Sequence, residues 1–195
     1  MKVLLINGSP HPQGSTYTAL SVIASELEAQ GIEAEIFHIG TKPVGGCIAC
    51  GKCRENQRCF IDDNVNVALE KAKDCDGFFF GSPVYYASAN GSMVSFMDRL
   101  FYTRTDYFAF KPAACICAAR RGGATATYDQ LNKYLVINKM ITLPSVYWNM
   151  VYGHNAEEVM KDTEGMSIMR TLGKNMAWML RVLEASKEKG IEPPR

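Results

Sequence analysis

The sequence predicts one α/β domain over residues 1–195, in which a parallel β-sheet is covered by helices on both faces. The main observation is that short apolar segments with strand character alternate with longer segments whose apolar residues recur at helical spacing. Strict β–α alternation indicates parallel strands, since each pair of them needs a crossover connection. The chain also has no repeat, low-complexity segment or interdomain linker, and a chain that is 47% hydrophobic can bury a full core.

The five expected strands are buried or edge segments bounded by turn residues. They lie at residues 2–6, 33–39, 78–80, 113–119 and 141–146. Pro144 lies inside the last one and makes it an edge strand, because proline cannot donate a backbone hydrogen bond. Five strands in this rhythm fit the flavodoxin-like order 2-1-3-4-5.

The helices follow from periodicity and from their end signals. In the first, residues 15–30, one face carries the apolar side chains and Gly31 ends the helix. The segment Asp62-Asp63-Asn64 supplies an N-cap for the second helix. The remaining helices are expected at about residues 93–100, 125–139 and 165–189.

Charge and hydropathy exclude several partners. Lys and Arg number 21 and Asp and Glu 20, a formal charge of +1, so nucleic acid and anionic membrane are not expected partners. The apolar segment at the N-terminus is too short for a signal peptide, and no apolar run approaches the length of a membrane span. The protein is therefore expected to be cytoplasmic, with reduced thiols.

A cysteine-rich loop at about residues 45–60 is the strongest functional signal. Four cysteines follow the spacing Cys-x2-Cys-x2-Cys-x5-Cys, at Cys47, Cys50, Cys53 and Cys59. Thiolates this close in sequence can converge on one point, as an iron–sulfur cluster requires. A zinc site fits the compact run less well, and disulfides or a metal-free loop remain as alternatives. The other three cysteines lie in apolar segments and are expected to be small core residues.

The loop after the first strand is typical of a phosphate site. Residues 8–16 contain hydroxyls and turn residues immediately before a helix, whose N-terminal amides suit an anion. It is neither a Walker A loop nor a dinucleotide fingerprint. The alternative is an ordinary Pro/Gly connection in which Ser15 caps the helix. The candidate residues in this loop are Ser9, His11, Gly14, Ser15 and Thr16.

Two further loops follow strands that should end at the same edge of the sheet. Residues 81–91 combine aromatic and small residues, which favours a flat apolar slot for an isoalloxazine ring. In residues 118–123 two glycines permit close backbone approach, and an arginine could stabilise negative charge on the ring's pyrimidine end. A solvated pair of surface arginines is the alternative. The candidates are Pro83, Val84, Tyr85, Tyr86, Ala119, Arg120 and Gly122.

These motifs together resemble the NADPH-dependent FMN reductase superfamily, and more closely its iron–sulfur flavoprotein branch. The resemblance covers nearly the whole chain and rests on residues 8–16, the cysteine run through Asp63, and Gly81-Ser82-Pro83-Val84-Tyr85. It implies that Ser9, Ser15 and Thr16 bind the FMN phosphate and that Pro83 to Tyr86 hold the ring. It further implies a [4Fe–4S] cluster on the four cysteines. Many relatives have Arg where this chain has His11, which predicts weaker or pH-dependent FMN binding.

The implied function is a redox relay between one-electron and two-electron partners, such as ferredoxin or NAD(P)H, with FMN carrying the chemistry. No side chain is expected to act as nucleophile or general acid, and His38 and His154 are expected to be structural or surface groups. The rival enzyme is a cluster-free NAD(P)H:FMN or quinone reductase. Outside enzymes, the alternatives are a redox carrier or sensor, or a flavodoxin-like protein that binds no flavin.

An aromatic segment predicts self-association. Residues 101–110 contain five aromatic side chains, more apolar surface than the connecting loop of a monomer should expose. We therefore expect a homodimer or homotetramer in which Tyr107 and Phe108 contact another subunit near its flavin. The alternative is that these rings pack on the chain's own helices.

Overall fold

The computed structural model describes residues 1–194. The strands of the sheet alternate with helices along the chain, as the sequence predicts. In chain order the strands are β1 (Lys2–Asn7), β2 (Glu33–His38), β3 (Gly77–Tyr85), β4 (Ser88–Ala89), β5 (Pro112–Ala119), β6 (Ile141–Thr142) and β7 (Met150–Tyr152). The helices are α1 (Ser15–Glu28), α2 (Cys53–Asn56), α3 (Asn64–Ala72), α4 (Gly91–Thr103), α5 (Ala124–Ile137), α6 (Ala156–Lys161) and α7 (Thr163–Glu188).

The main strands form a parallel sheet in the order β2-β1-β3-β5-β6. Since β4 only extends a hairpin from β3, this is the flavodoxin-like order 2-1-3-4-5, and the fold prediction is confirmed. Only the first two residues of the strand predicted at 141–146 form a strand, β6, and a further short strand that the sequence did not predict, β7, also pairs with β5. Leu143 still donates to Ala113, but Pro144 has no N–H and ends the first pairing.

The core lies on both faces of this sheet. Alternate residues of β3 point to opposite sides: Phe78 and Phe80 pack with α3, α4 and α5, whereas Phe79 packs with α1 and α7. All three rings are fully buried. Two apolar layers therefore hold the sheet rigid, and the loops at its carboxyl edge are positioned by it.

The aromatic segment does not form the predicted subunit surface. Phe108 is fully buried, with its ring centroid 4.8 Å from those of both Phe78 and Phe101. Tyr107 is half-buried, and its ring lies 3.8 Å from the guanidinium carbon of Arg104. The prediction that Tyr107 and Phe108 together contact another subunit is therefore wrong. A cluster of aromatic residues signals burial, but it does not distinguish a chain's own core from an interface.

The described residues contain no helix with both the length and the apolar character that a membrane span requires.

Candidate functional site

Three loops meet at the carboxyl edge of the sheet, after β1, β3 and β5. The amide of Gly8 donates to the carbonyl of Gly81 at 2.8 Å, which joins the first loop to β3. Gly123, in the loop after β5, packs against Ala87 in the β3–β4 hairpin. The predicted cluster of loops is therefore present, at the place where sheets of this order bind ligands.

The first loop is wound around Asn7, the last residue of β1. Its side-chain oxygen accepts from the Ser9 amide at 3.1 Å, and its side-chain nitrogen donates to the carbonyl of Pro12 at 3.2 Å. The Ser9 hydroxyl in turn accepts from the amide of His11 at 3.1 Å. Nε2 of His38 donates to the Ser9 carbonyl at 2.8 Å, so His38 has a structural role, as expected. Ser9 is consequently buried and fixed from both sides.

Helix α1 presents an open N-terminus to this loop. Gly14 occupies the N-cap position and no side chain caps the helix, so the alternative in which Ser15 is the cap is wrong. The first turn contains no acidic residue. Thr16 is 1% exposed, yet its hydroxyl has no hydrogen-bond partner. Free amides and an unsatisfied buried hydroxyl are the features of a site built to receive an anion.

The second predicted loop is a strand followed by a tight hairpin. Strand β3 continues through Pro83 and Val84 to Tyr85 and pairs back on Ser88. Tyr86 and Ala87 both have positive φ, 50° and 59°, the conformation of a type I′ turn that normally favours Asn-Gly. Strain of this kind, of order 1–3 kcal/mol per residue, concentrates at binding sites.

Helix α5 stabilises the hairpin through hydrogen bonds to Gln130. Gln130 Oε1 accepts from the Ser88 hydroxyl and the Ala89 amide, both at 2.9 Å. The Pro83 and Val84 side chains are half-buried, Tyr85 is 43% exposed, and Tyr86 is fully exposed. Across from them Ala119 is buried in β5, whereas Arg120 and Gly122 are exposed. Tyr86 therefore forms no wall of a slot within its own chain and is available to a ligand or partner.

The four cysteines of the second candidate site line one cavity. Its other walls include Phe60, Arg99 and Tyr102. Cys47 and Cys50 are exposed, Cys59 is half-buried, and Cys53 is buried at the start of the one-turn helix α2. The loop reverses direction at Ala49, Gly51 and Gln57, which all have positive φ. The four cysteines, which are close together in sequence, thus lie around one cavity.

The amide, the carbonyl and the sulfur of Cys59 all form hydrogen bonds. Its amide donates to the Asn66 side-chain oxygen at 2.9 Å, and its carbonyl accepts from the Asn66 side-chain nitrogen at 3.0 Å. Nε of Arg99 lies 3.3 Å from its sulfur and donates to it. Asn66 and Arg99, on α3 and α4, fix Cys59 between two helices, and neither residue is among the sequence candidates.

Arg99 is 1% exposed and forms a bidentate pair with Asp63, at 2.7 and 2.8 Å. Asp63 also caps α3 by accepting from the Val65 amide, as the sequence predicts. Burial lowers the pKa of Arg99, but hydrogen bonds to Asp63 and Cys59 outweigh it and leave that pKa above its ordinary value. Arg99 is a permanent buried cation beside the cysteine cavity.

The remaining cysteines are buried core residues, as expected, and all seven cysteines of the chain are free thiols. The disulfide alternative for the loop is therefore absent from this structure. Burial raises the pKa of Cys75 to about 11 and that of Cys117 to about 12, and it also raises the pKa of Cys115. These three thiols stay protonated and inert at neutral pH.

Comparison with known proteins decides the family. The family model for NADPH-dependent FMN reductase matches residues 1–155. The chain belongs to this family. It is thus an FMN-dependent oxidoreductase, and its relatives place it in the iron–sulfur flavoprotein branch that the sequence resembles.

Two archaeal relatives span nearly its full length. A protein of Methanocaldococcus jannaschii named iron-sulfur flavoprotein is 30% identical over 94% of this chain and 100% of its own. A protein of the same name from Methanosarcina thermophila is 26% identical over 97% of this chain and 100% of its own. The FMN-dependent NADPH-azoreductase of Staphylococcus aureus is 30% identical over 72% of this chain and 71% of its own.

Solved structures support the fold alone. RosB superposes with a TM-score of 0.74 at 15% identity, covering 100% of this chain and 89% of its own. An archaeal flavodoxin superposes with a TM-score of 0.62 at 14% identity, covering 93% of this chain and 99% of its own. Both similarities agree with the observed strand order.

Proposed function

We propose that this FMN-dependent oxidoreductase carries a [4Fe–4S] cluster on Cys47, Cys50, Cys53 and Cys59 and passes electrons between that cluster and FMN. The observation that carries the proposal is the single cavity lined by all four cysteines. Iron–sulfur clusters are held by cysteine thiolates, and four thiolates are the usual ligand set of a [4Fe–4S] cluster. The names of the two full-length archaeal relatives agree with this assignment.

The cavity lined by four cysteines is compatible with a cluster, whose thiolates bind different irons. Zinc requires four ligand atoms within about 2.0–2.3 Å of one point. Among residues 1–194, no three Cys, His, Asp or Glu side chains lie close enough together to hold one metal ion. In a [4Fe–4S] cluster the four thiolates bind different irons and stand further apart, which suits four cysteines distributed around a cavity.

FMN is proposed to bind at the carboxyl edge of the sheet. Its phosphate would meet the N-terminus of α1, where Thr16 has an unsatisfied buried hydroxyl and Ser9 is fixed by the loop. Ser15, Gly14 and the exposed His11 complete this end of the site. The ring would lie between the hairpin after β3 and the loop after β5, a set made of Pro83, Val84, Tyr85, Tyr86, Ala119, Arg120 and Gly122.

When bound, FMN exchanges electrons singly or in pairs, whereas an iron–sulfur cluster exchanges one at a time. The residues of the chain bind and orient the two groups. We propose a redox partner such as ferredoxin, or NAD(P)H, as the electron source. The second candidate function is a cluster-free NAD(P)H:FMN or quinone reductase, which the family description and the azoreductase relative favour.

We further propose that the chain works as a homodimer or homotetramer. With Phe108 buried, the surface that supports this assembly is the rim of the cysteine loop. Ile48, Phe60, Tyr102 and Ile137 are each more than half exposed there or on the neighbouring end of α5. Apolar side chains around a redox site suit a contact that excludes water from the path of electrons.

The test is anaerobic purification followed by assays of iron, sulfide, zinc and FMN. We expect about four irons and one FMN per chain, with both flavin and iron–sulfur absorption bands. Stoichiometric zinc, or flavin with no iron under strict anaerobiosis, would reject the cluster. Full NAD(P)H turnover by an iron-free sample would establish the cluster-free reductase in its place.

A further inference from the structure

Arg99 uses its entire hydrogen-bonding capacity on the cysteine loop and the segment that follows it. Nη1 donates to the carbonyl of Gly45 at 3.2 Å and to Asp63, and Nη2 donates to the carbonyl of Ile61 at 2.9 Å and to Asp63. Nε donates to Cys59 Sγ at 3.3 Å. An arginine has five N–H donors, and all five are satisfied here. The guanidinium therefore ties the start of the loop to its end and directs its remaining donor at one sulfur.

Packing alone does not explain a cation at this position. Arg99 lies on the buried side of α4, with Phe96 and Leu100, where an apolar side chain would complete the core. Replacing a buried ion pair by apolar residues of similar volume is often neutral or stabilising. A fully buried arginine whose Nε meets a sulfur is thus better explained by what it does to that sulfur.

We infer that Arg99 positions Cys59 as a cluster ligand and raises the reduction potential of the [4Fe–4S] cluster. This inference rests on the proposed function. A hydrogen bond from a cation withdraws electron density from the sulfur and so stabilises the more negative, reduced cluster. Because Arg99 stays charged at every accessible pH, the effect is constant.

The environment of the sulfurs is asymmetric. Cys53 Sγ faces a carbonyl oxygen, that of Tyr102 at 3.9 Å, and so it meets an acceptor where Cys59 meets a donor. Asn66 fixes the backbone of Cys59 independently of Arg99. Removal of the Nε donor should therefore alter the electronic environment of this ligand while leaving its backbone in place.

The experiment compares Arg99→Lys with Arg58→Lys in the anaerobically purified, FMN-loaded protein. Lysine at position 99 keeps the charge near Asp63 but has no donor at the Nε position. Arg58 is adjacent to Cys59 in sequence, yet its guanidinium donates to Asp62. Potentiometric titration followed by electron paramagnetic resonance should show the reduction equilibrium constant of the cluster about tenfold lower in Arg99→Lys. For a one-electron couple this is a potential about 59 mV lower.

Arg58→Lys should leave the cluster potential unchanged, and the FMN potential should stay the same in both variants. A loaded Arg99→Lys protein with the parent's cluster potential would overturn the inference. An equal shift in Arg58→Lys would also overturn it, because it would show that the shift does not depend on the hydrogen bond from Arg99 Nε to Cys59.

A second measurement needs no substitution. In the parent protein labelled with ¹⁵N-arginine, pulsed electron paramagnetic resonance of the reduced cluster should detect coupling to an arginine nitrogen. A loaded parent without this coupling would contradict the inference even if Arg99→Lys failed to fold. A parent that binds FMN but no iron would instead reject the proposed function, so the two failures are distinguishable.

Discussion

Gly123 lies directly against Ala87: a β-carbon at Gly123 would stand 2.7 Å from the Cα atom of Ala87. Gly123 also has a φ of +89° and occupies the N-cap of α5. The loop after β5 and the hairpin after β3 are therefore joined by a contact that only glycine permits. These are the two segments between which the flavin ring is proposed to lie.

Gly123→Ala should force these two loops apart. We expect the free energy of unfolding to fall by about 1–3 kcal/mol, because the new side chain meets backbone and the positive φ becomes strained. FMN affinity should fall as well. Gly31→Ala is the matched control, since Gly31 just after α1 also has a positive φ, +75°, but no atom lies within 4 Å of the point that its β-carbon would occupy. Equal FMN affinity in both variants would place the ring elsewhere.

Thr16→Val should have opposite effects on the free and the FMN-bound protein. Valine removes a buried hydroxyl that has no partner, so the flavin-free protein should be more stable, by about 1 kcal/mol. FMN should bind about tenfold more weakly if that hydroxyl donates to the phosphate, because one hydrogen bond contributes about 1–1.5 kcal/mol. Calorimetric titration and thermal unfolding measure the two effects separately.

Ser21→Ala controls for hydroxyl loss on the same helix. Its hydroxyl donates to the Tyr17 carbonyl one turn earlier, so it already has a partner within the helix. FMN affinity should match the parent. A Thr16→Val protein with unchanged affinity would remove Thr16 from the phosphate site.

Single Ala substitutions at Cys47, Cys50, Cys53 and Cys59 should each abolish or degrade the cluster and leave FMN bound. The reason is that a [4Fe–4S] cluster needs all four thiolates, whereas the flavin site is built from other segments. Cys75→Ala is the control: its thiol is buried, donates to the Lys71 carbonyl, and should leave the iron content unchanged. Retention of four irons by any two of the loop variants would contradict the ligand set.

The fold should lose stability in acid partly through Glu35. Lys71 Nζ lies 2.6 Å and Lys2 Nζ 3.1 Å from its carboxylate, and these hydrogen bonds, Lys71 first, hold the pKa of Glu35 below its ordinary value of 4.5. A carboxylate with a lowered folded-state pKa stabilises the fold above its unfolded-state pKa, and this stability is lost as the pH falls through the folded-state value.

Glu35→Gln should therefore lower Tm at neutral pH by the equivalent of at most about 1 kcal/mol and flatten the fall in Tm below about pH 4.5. Thermal unfolding between pH 7 and 3 measures this. Glu33→Gln, at a side chain 67% exposed, should retain the parent's acid slope. A parent-like slope in Glu35→Gln would show that other groups govern the acid limb.

Most of the fold was predictable because its signals are local. The alternation of apolar patterns predicts the strands and helices. Pro144 predicts that the last strand lies at the edge of the sheet. The hairpin at Tyr85–Ser88 was not predictable, because Gly81, Ser82 and Pro83 are typical loop residues and the turn itself uses two residues with unfavourable φ. Tertiary pairing of β3 with β5 extends the strand beyond the point where local preference would end it.

The positions of the cysteine loop and of the loop after β1 were predictable, because their residue types indicate the chemistry proposed for them. Arg99 was missed because a lone arginine in a helix is usually a surface residue. One signal was present: it is three residues after Phe96 and so lies on the apolar face of α4. Asn66 carried no such signal, since its role depends on how α3 packs against the cysteine loop.

Asn90 caps helix α4 beside the proposed flavin edge, and Arg99 follows nine positions later, about 14 Å along the helix axis. This helix thus sets the interval between the proposed flavin site and the proposed cluster site. Inserting a single residue would turn Arg99 by about 100° away from Cys59 while Asn90 stayed in place. Under the proposed function, a change in the length of this helix would therefore alter both the distance between the two sites and the direction in which Arg99 points.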